Sequence, residues 1–144
     1  MAIVGFNFDK LSIERKEAIT GKVSIKSNID INEINKSNIV LMEGKDTLKA
    51  TFTFFVSYEP NLARLDFKGH VLVVEDAKTS KQILEDWKKK KMDPKLREQI
   101  YNIILRKANI KALALEEELN LIPHWPMPSV RAEDINAAEK NKKA

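Results

Sequence analysis

The chain has 144 residues, 43% hydrophobic and 32% charged, enough for one domain with a real core and too apolar for wholesale disorder. Cysteine is absent, which removes disulfides, thiolate metal sites and thiol nucleophiles together and favours an intracellular, cytoplasmic setting. No apolar run approaches the ~20 residues a membrane-spanning helix needs, and the N-terminus carries no expected secretory leader.

The net charge of +4 is unevenly spread. Residues 1–77 carry 10 Lys and Arg against 11 Asp and Glu, whereas residues 78–112 carry 11 basic and 4 acidic side chains. Such a basic stretch is either a solvated lysine-rich helix face or a surface for phosphate or an acidic partner.

Ile3 to Ile13 alternates loosely, with Phe6, Phe8, Leu11 and Ile13 as the apolar members, and predicts a first strand. Thr20-Gly21 ends that segment. Val23, Ile25, Ile29 and Ile31 then fall at odd positions among polar residues, the period of a second strand. Asn32 to Asn38 reads as polar and turn-like, and Ile39 to Met42 as a short apolar piece before another turn. Thr47 to Tyr58 is the clearest strand, with Leu48, Ala50, Phe52, Phe54, Val56 and Tyr58 on one face. Glu59-Pro60-Asn61 predicts a turn. A fourth strand follows from Leu62 to Val74, and Gly69 inside it marks a bulge or bend. Four strands with short links predict an antiparallel sheet.

After Asp76 the period changes to that of a helix. Thr79 and Ser80 are N-cap candidates, Ile83, Leu84 and Trp87 form the apolar stripe, and Lys88 to Lys91 complement the helix dipole at its end. Asp93-Pro94 is a second start signal. Leu96, Ile100, Ile103, Ile104, Ala108, Ala112, Leu115 and Leu119 recur at three- and four-residue steps, predicting one helix to about Leu119 unless Asn109 breaks it. Three prolines between Pro123 and Pro128 impose an extended path. Residues 1–130 thus read as one domain and 131–144 as a polar, disordered tail.

Chemistry finds little purchase. His70 and His124 lack a third ligand or an orienting acid at useful spacing, and Glu116-Glu117-Glu118 reads as a solvated cluster near a helix end. No phosphate loop, nucleophile elbow or metalloprotease motif is present, so neither catalysis, a metal nor a cofactor is expected. Aromatics near the basic residues are confined to Trp87 and Tyr101, sparse for a single-strand nucleic-acid reader. The surplus lies elsewhere. Phe55 interrupts the polar face of Lys49, Thr51, Thr53 and Ser57, and the proline segment adds Leu121, Ile122, Trp125 and Met127. These five side chains either pin the segment to its own sheet or form an apolar binding surface.

The order of four strands, helix, then Leu119-Asn120-Leu121-Ile122-Pro123 resembles the SecB family of export chaperones and its archaeal relatives. Leu65 to Val73, with Gly69 at its centre, is similar to the family's glycine-bearing strand, and Leu119 to Pro123 to its crossover loop. The resemblance covers about residues 3–130. It implies an α+β fold, a four-stranded antiparallel sheet packed on one face by a long C-terminal helix and a shorter one. It also implies a homo-oligomer, a dimer or tetramer, and holdase binding of unfolded polypeptides beneath the crossover loop, through Leu121, Ile122, Trp125, Met127 and Phe55. The basic composition and the added segment Lys78–Lys91 depart from the bacterial members, pointing to a general holdase and away from docking on an export motor. A basic RNA- or ribosome-associated module, or a structural oligomeric subunit, is the alternative.

Overall fold

The computed structural model describes residues 2–16, 21–126, 128, 130–133 and 135. Strands β1 (Ala2–Arg15), β2 (Ser24–Ser37), β3 (Asp46–Glu59) and β4 (Ala63–Glu75) precede helices α1 (Ala77–Lys88) and α2 (Pro94–Glu118). The strands form one antiparallel sheet in the order β1-β4-β3-β2. The α+β class, the four strands and the long C-terminal helix are as the sequence predicts.

Alternation explains β3 directly. Leu48, Ala50, Phe52, Phe54, Val56 and Tyr58 are all buried, while Thr51, Thr53, Phe55 and Ser57 on the other face are half-exposed. The buried face continues into β4 through Leu65, Phe67, Val71 and Val73. Phe6 stacks on Phe52 at 5.3 Å between ring centroids, Phe54 on Phe67 at 5.5 Å, and Phe8 meets Phe67 edge-on at 5.7 Å. This aromatic layer is the centre of the core. Each such fully buried ring contributes roughly 1.5–3 kcal/mol.

β1 is less regular because its register shifts between Ile3 and Gly5 and again between Phe8 and Lys10. The second shift lets Phe8, opposite Gly69, and Leu11, opposite Phe67, face the same side despite their odd spacing. A Cβ at Gly69 would sit 2.4 Å from the Asn7 carbonyl oxygen and 2.7 Å from Cζ of Phe52. The glycine therefore marks close backbone approach, and the bulge belongs to the neighbouring strand.

The same device corrects two readings. β2 does not stop at Ile31: a register shift between Ile31 and Glu33 carries it to Ser37, with Ile34 buried opposite Ala50. The extra residue switched the apolar positions from odd to even, which disguised strand as turn. Ile39 to Met42 form an exposed connection, Val40 being 73% exposed.

The α1 cap is Asp76, not Thr79 or Ser80: the Asp76 carboxylate accepts the Thr79 N–H at 2.8 Å, and Ser80 is buried inside the helix. That hydrogen bond, above all, holds the Asp76 carboxyl below the usual carboxylate range. Only Lys88 of the lysine run lies in the helix. Lys90 takes a left-handed φ of 58°, and the N–H groups of Lys90 and Lys91 bond back to Trp87 and Asp86. α2 starts as predicted, with Asp93 accepting from Lys95 and Leu96 and Pro94 in the first turn. It runs unbroken through Asn109. Ala108 and Ala112, both fully buried, let its backbone approach the sheet closely.

Met127 and most of the tail from Arg131 fall outside the described residues, and with them their expected roles.

Candidate functional site

The C-terminus of α2 decides where the proline segment goes. Asn120 adopts a left-handed φ of 54°, and its N–H bonds to Glu117 while the Leu121 N–H bonds to the Glu116 carbonyl. This double closure is a Schellman stop, with asparagine in the left-handed position and buried Leu121 as its apolar follower. Leu119-Asn120-Leu121 is thus a stop signal in physical terms. Arg15 of β1 adds a cation at the dipole's negative end, its Nη1 donating to Leu119 O at 2.7 Å.

Beyond the stop, the segment is held by a buried polar cluster. Glu116 is 1% exposed, and its Oε1 accepts the His124 main-chain N–H at 2.7 Å. The His124 ring, also 1% exposed, places Nδ1 2.6 Å from Oε1 and Nε2 2.8 Å from Asn109 Oδ1. Tyr58, fully buried in β3, donates its hydroxyl to the Ile122 carbonyl beside the Glu116 carboxylate. Burial, then the neighbouring Glu116 charge, pushes the Tyr58 phenol well above its ordinary pKa. Phe54 packs edge-on against the imidazole at 6.1 Å.

Glu116 is accordingly not the solvated member of a surface cluster that the sequence suggested. The overlooked signal is spacing: Ile100, Ile104, Ala108 and Ala112 are buried at four-residue steps, and Glu116 is the next step. A carboxylate on that row points inward and requires partners. Asn109 lies two turns before Glu116 and meets the same ring. Nothing in local sequence pairs either with His124 or Tyr58.

Next to this cluster lies a groove of about 230 Å³ between α2 and the β2–β3 side of the sheet, lined by Ile29, Phe54, Tyr101, Leu105, Trp125, Asn109, Ser27 and Asn28. Trp125 forms its rim and is 57% exposed; Ile122 is 48% exposed. Leu121 is buried, packed into the protein's own core, and with Pro123 borders a separate cleft of about 490 Å³ beside Leu113 and Glu117. Phe55 belongs elsewhere. It lies on the opposite sheet face, where the Arg64 guanidinium, paired with Asp66 at 2.8 Å, sits 4.7 Å above its ring. Of the five residues singled out in the sequence, the four described ones do not form one surface: Trp125 is exposed on the groove, Ile122 is exposed three residues before it, Leu121 is an anchor, and Phe55 is on the far side.

A larger cleft of about 690 Å³ separates α1 from β2. Its apolar floor of Ile34, Leu84 and Trp87 is edged by Lys36, Lys81, Lys88, Asp46 and Glu85. Among the described residues no helix is long and apolar enough to cross a membrane.

No protein-family model matches the chain, and no curated protein matches it in sequence. Among solved structures, the chain is similar to a SecB-like chaperone of Mycobacterium tuberculosis, solved in complex with a ChAD peptide from the HigA1 antitoxin. The likeness spans 90% of this chain and 91% of that one, with a TM-score of 0.53 and 10% sequence identity. At that identity the comparison speaks for architecture alone: the chain has a SecB-like fold.

Proposed function

We propose that this protein is a non-catalytic, holdase-type chaperone that binds non-native polypeptides through apolar grooves on its helical face. The observation that carries this reading is the groove beside α2, apolar along Ile29, Phe54 and Leu105, with the exposed indole of Trp125 at its rim. Exposed aromatic and aliphatic side chains around a concave apolar floor suit client segments that differ in sequence, because burial of apolar area is not directional. The peptide-bound state of the mycobacterial structural relative supports polypeptide as the ligand class. Ile122 and Trp125 are assigned to client contact, and the working form is a dimer or tetramer in the cytoplasm.

The test is suppression of aggregation of a chemically denatured model protein. Equimolar or lower amounts of folded protein should keep the client in solution; no effect at equimolar ratio sinks the reading. The basic run from Lys78 to Lys111 favours one rival, an RNA-binding module. Binding to RNA would weaken steeply between low and moderate salt, whereas apolar client capture would hardly change. The other rival, a purely structural subunit, is an oligomer too and is told apart by the aggregation assay, in which it leaves the client unprotected; light scattering behind size exclusion tests the oligomer that both readings require.

A further inference from the structure

We propose that Glu116 is a positioning residue for the client groove: together with Tyr58 and Asn109 it latches residues 122–124 to the body and so sets Trp125 as the groove's rim. The inference deepens the chaperone reading, and its binding readout rests on it.

The argument is one of anchoring points. Three polar groups from two elements converge on two residues, Ile122 and His124, either side of Pro123. Tyr58 of β3 takes the Ile122 carbonyl, Glu116 of α2 takes the His124 N–H and Nδ1, and Asn109 of α2 takes Nε2. The ring and the carboxylate are each 1% exposed, so water does not replace the bonds between Glu116 and His124 in the folded state. A buried carboxylate without these partners would be costly, and the cheapest relief is for the chain to stay where the partners are.

Trp125 follows directly on His124. It is exposed, and no hydrogen bond is assigned to it among the described residues. Its placement on the groove that Ile29 and Phe54 also line is inherited from its neighbour. Asn109 connects the two roles, since it both lines the groove and holds the imidazole. A rim fixed before the client arrives removes part of the ordering cost of binding.

The experiment uses the full chain with Trp87→Phe, leaving Trp125 as the sole tryptophan. Acrylamide quenching of Trp125 is measured for Glu116→Ala, Glu116→Gln, Tyr58→Phe and the surface control Glu98→Gln. Affinity for reduced, carboxymethylated α-lactalbumin, a permanently unfolded client, is measured alongside. Glu116→Ala should raise the quenching constant and weaken client binding about three- to tenfold, the factor expected from losing the pre-ordering of one side chain. Glu116→Gln should restore much of both, because its amide oxygen still accepts from His124; Glu98→Gln should change neither. If Glu116→Ala does not fold, Tyr58→Phe decides, since it frees the Ile122 carbonyl and removes the hydroxyl beside Glu116 while both side chains that hold His124 stay in place. Quenching at the parent level in a folded Glu116→Ala or Tyr58→Phe protein overturns the latch. Absence of client binding by the parent protein overturns the chaperone reading instead, while the quenching series still judges the latch.

Discussion

Glu116 Oε1 receives the main-chain N–H of His124 at 2.7 Å and faces Nδ1 of the same residue at 2.6 Å, both side chains being shut off from water. A main-chain and a side-chain contact to one residue from one carboxylate oxygen leave the segment little freedom to rotate away. Such a pair tolerates the loss of one member less well than the replacement of both. His124→Ala is expected to destabilise the protein by about 3–5 kcal/mol, the range for stranding a buried charged group. The double substitution Glu116→Leu with His124→Phe should recover most of that. Denaturant midpoints of the two singles and the double close the cycle; additive losses would mean the pair is not coupled.

Tyr58 carries a pH signature. Its folded pKa is raised, by burial and then by the Glu116 charge, above the ordinary phenol value of about 10. The folded protein therefore keeps a proton that the unfolded chain releases first. The resulting stabilisation is fully present below pH ~10 and is lost as pH rises from there through the raised folded value. Thermal midpoints should fall more steeply above that pH in the parent than in Tyr58→Phe. Parallel slopes would dissociate Tyr58 from the alkaline transition.

Gly69→Ala is expected to cost at least about 1–3 kcal/mol, because its Cβ meets the Asn7 carbonyl oxygen and the Phe52 ring at distances no rotamer change relieves. Urea unfolding measures it. A neutral result would require β1 and β4 to separate without loss, contrary to the tight pairing of Phe8 with Gly69.

At the helix stop, Asn120→Gly should be neutral or mildly stabilising, whereas Asn120→Ala should cost roughly 1–2 kcal/mol for placing an alanine at a φ of 54°. The comparison is made by thermal melts at one pH. Equal midpoints for the two variants would show that the left-handed stop is not maintained in solution.

Trp125→Ala should weaken client affinity about tenfold or more, as an exposed aromatic anchor does. The unfolding midpoint should move little, because the indole is 57% exposed. Ile122→Ala should act in the same direction more weakly, and Phe55→Ala, on the opposite sheet face, should leave affinity unchanged. Titration of the unfolded α-lactalbumin derivative against each variant provides the comparison.

The sequence displayed the sheet because two-residue alternation survives wherever one face is buried, as along Leu48 to Tyr58. It hid the second half of β2 because one bulged residue at Asn32 reversed the phase, and Ile34 on its own does not look like a strand. Asp93-Pro94 was legible because a cap is local chemistry, and the helix end near Leu119 because the apolar steps stop there and prolines follow; the left-handed stop at Asn120 was not read. The polar cluster was not. Tyr58, Asn109, Glu116 and His124 are brought together only when α2 lies back across β3, and a glutamate in a Glu-Glu-Glu run resembles a solvated one until its row on the helix is followed. Alternation set Phe55 on the face opposite Phe54, but nothing local says which of the two faces the proline segment covers, so Phe55 was grouped with Trp125.

The strand order β1-β4-β3-β2 has a consequence for how the chain is made. β2, β3 and β4 are sequential neighbours joined by short connections, so they can zip as they emerge from a ribosome. β1 is synthesised first, yet its partner β4 comes last: Phe8 waits for Gly69, 61 residues later. At the usual 5–20 residues per second this delay is on the order of 3–12 s. Throughout it, Phe6, Phe8, Leu11 and Ile13 have no sheet to cover. For that interval a nascent chain of this fold exposes the kind of apolar strand that it is proposed to recognise in others.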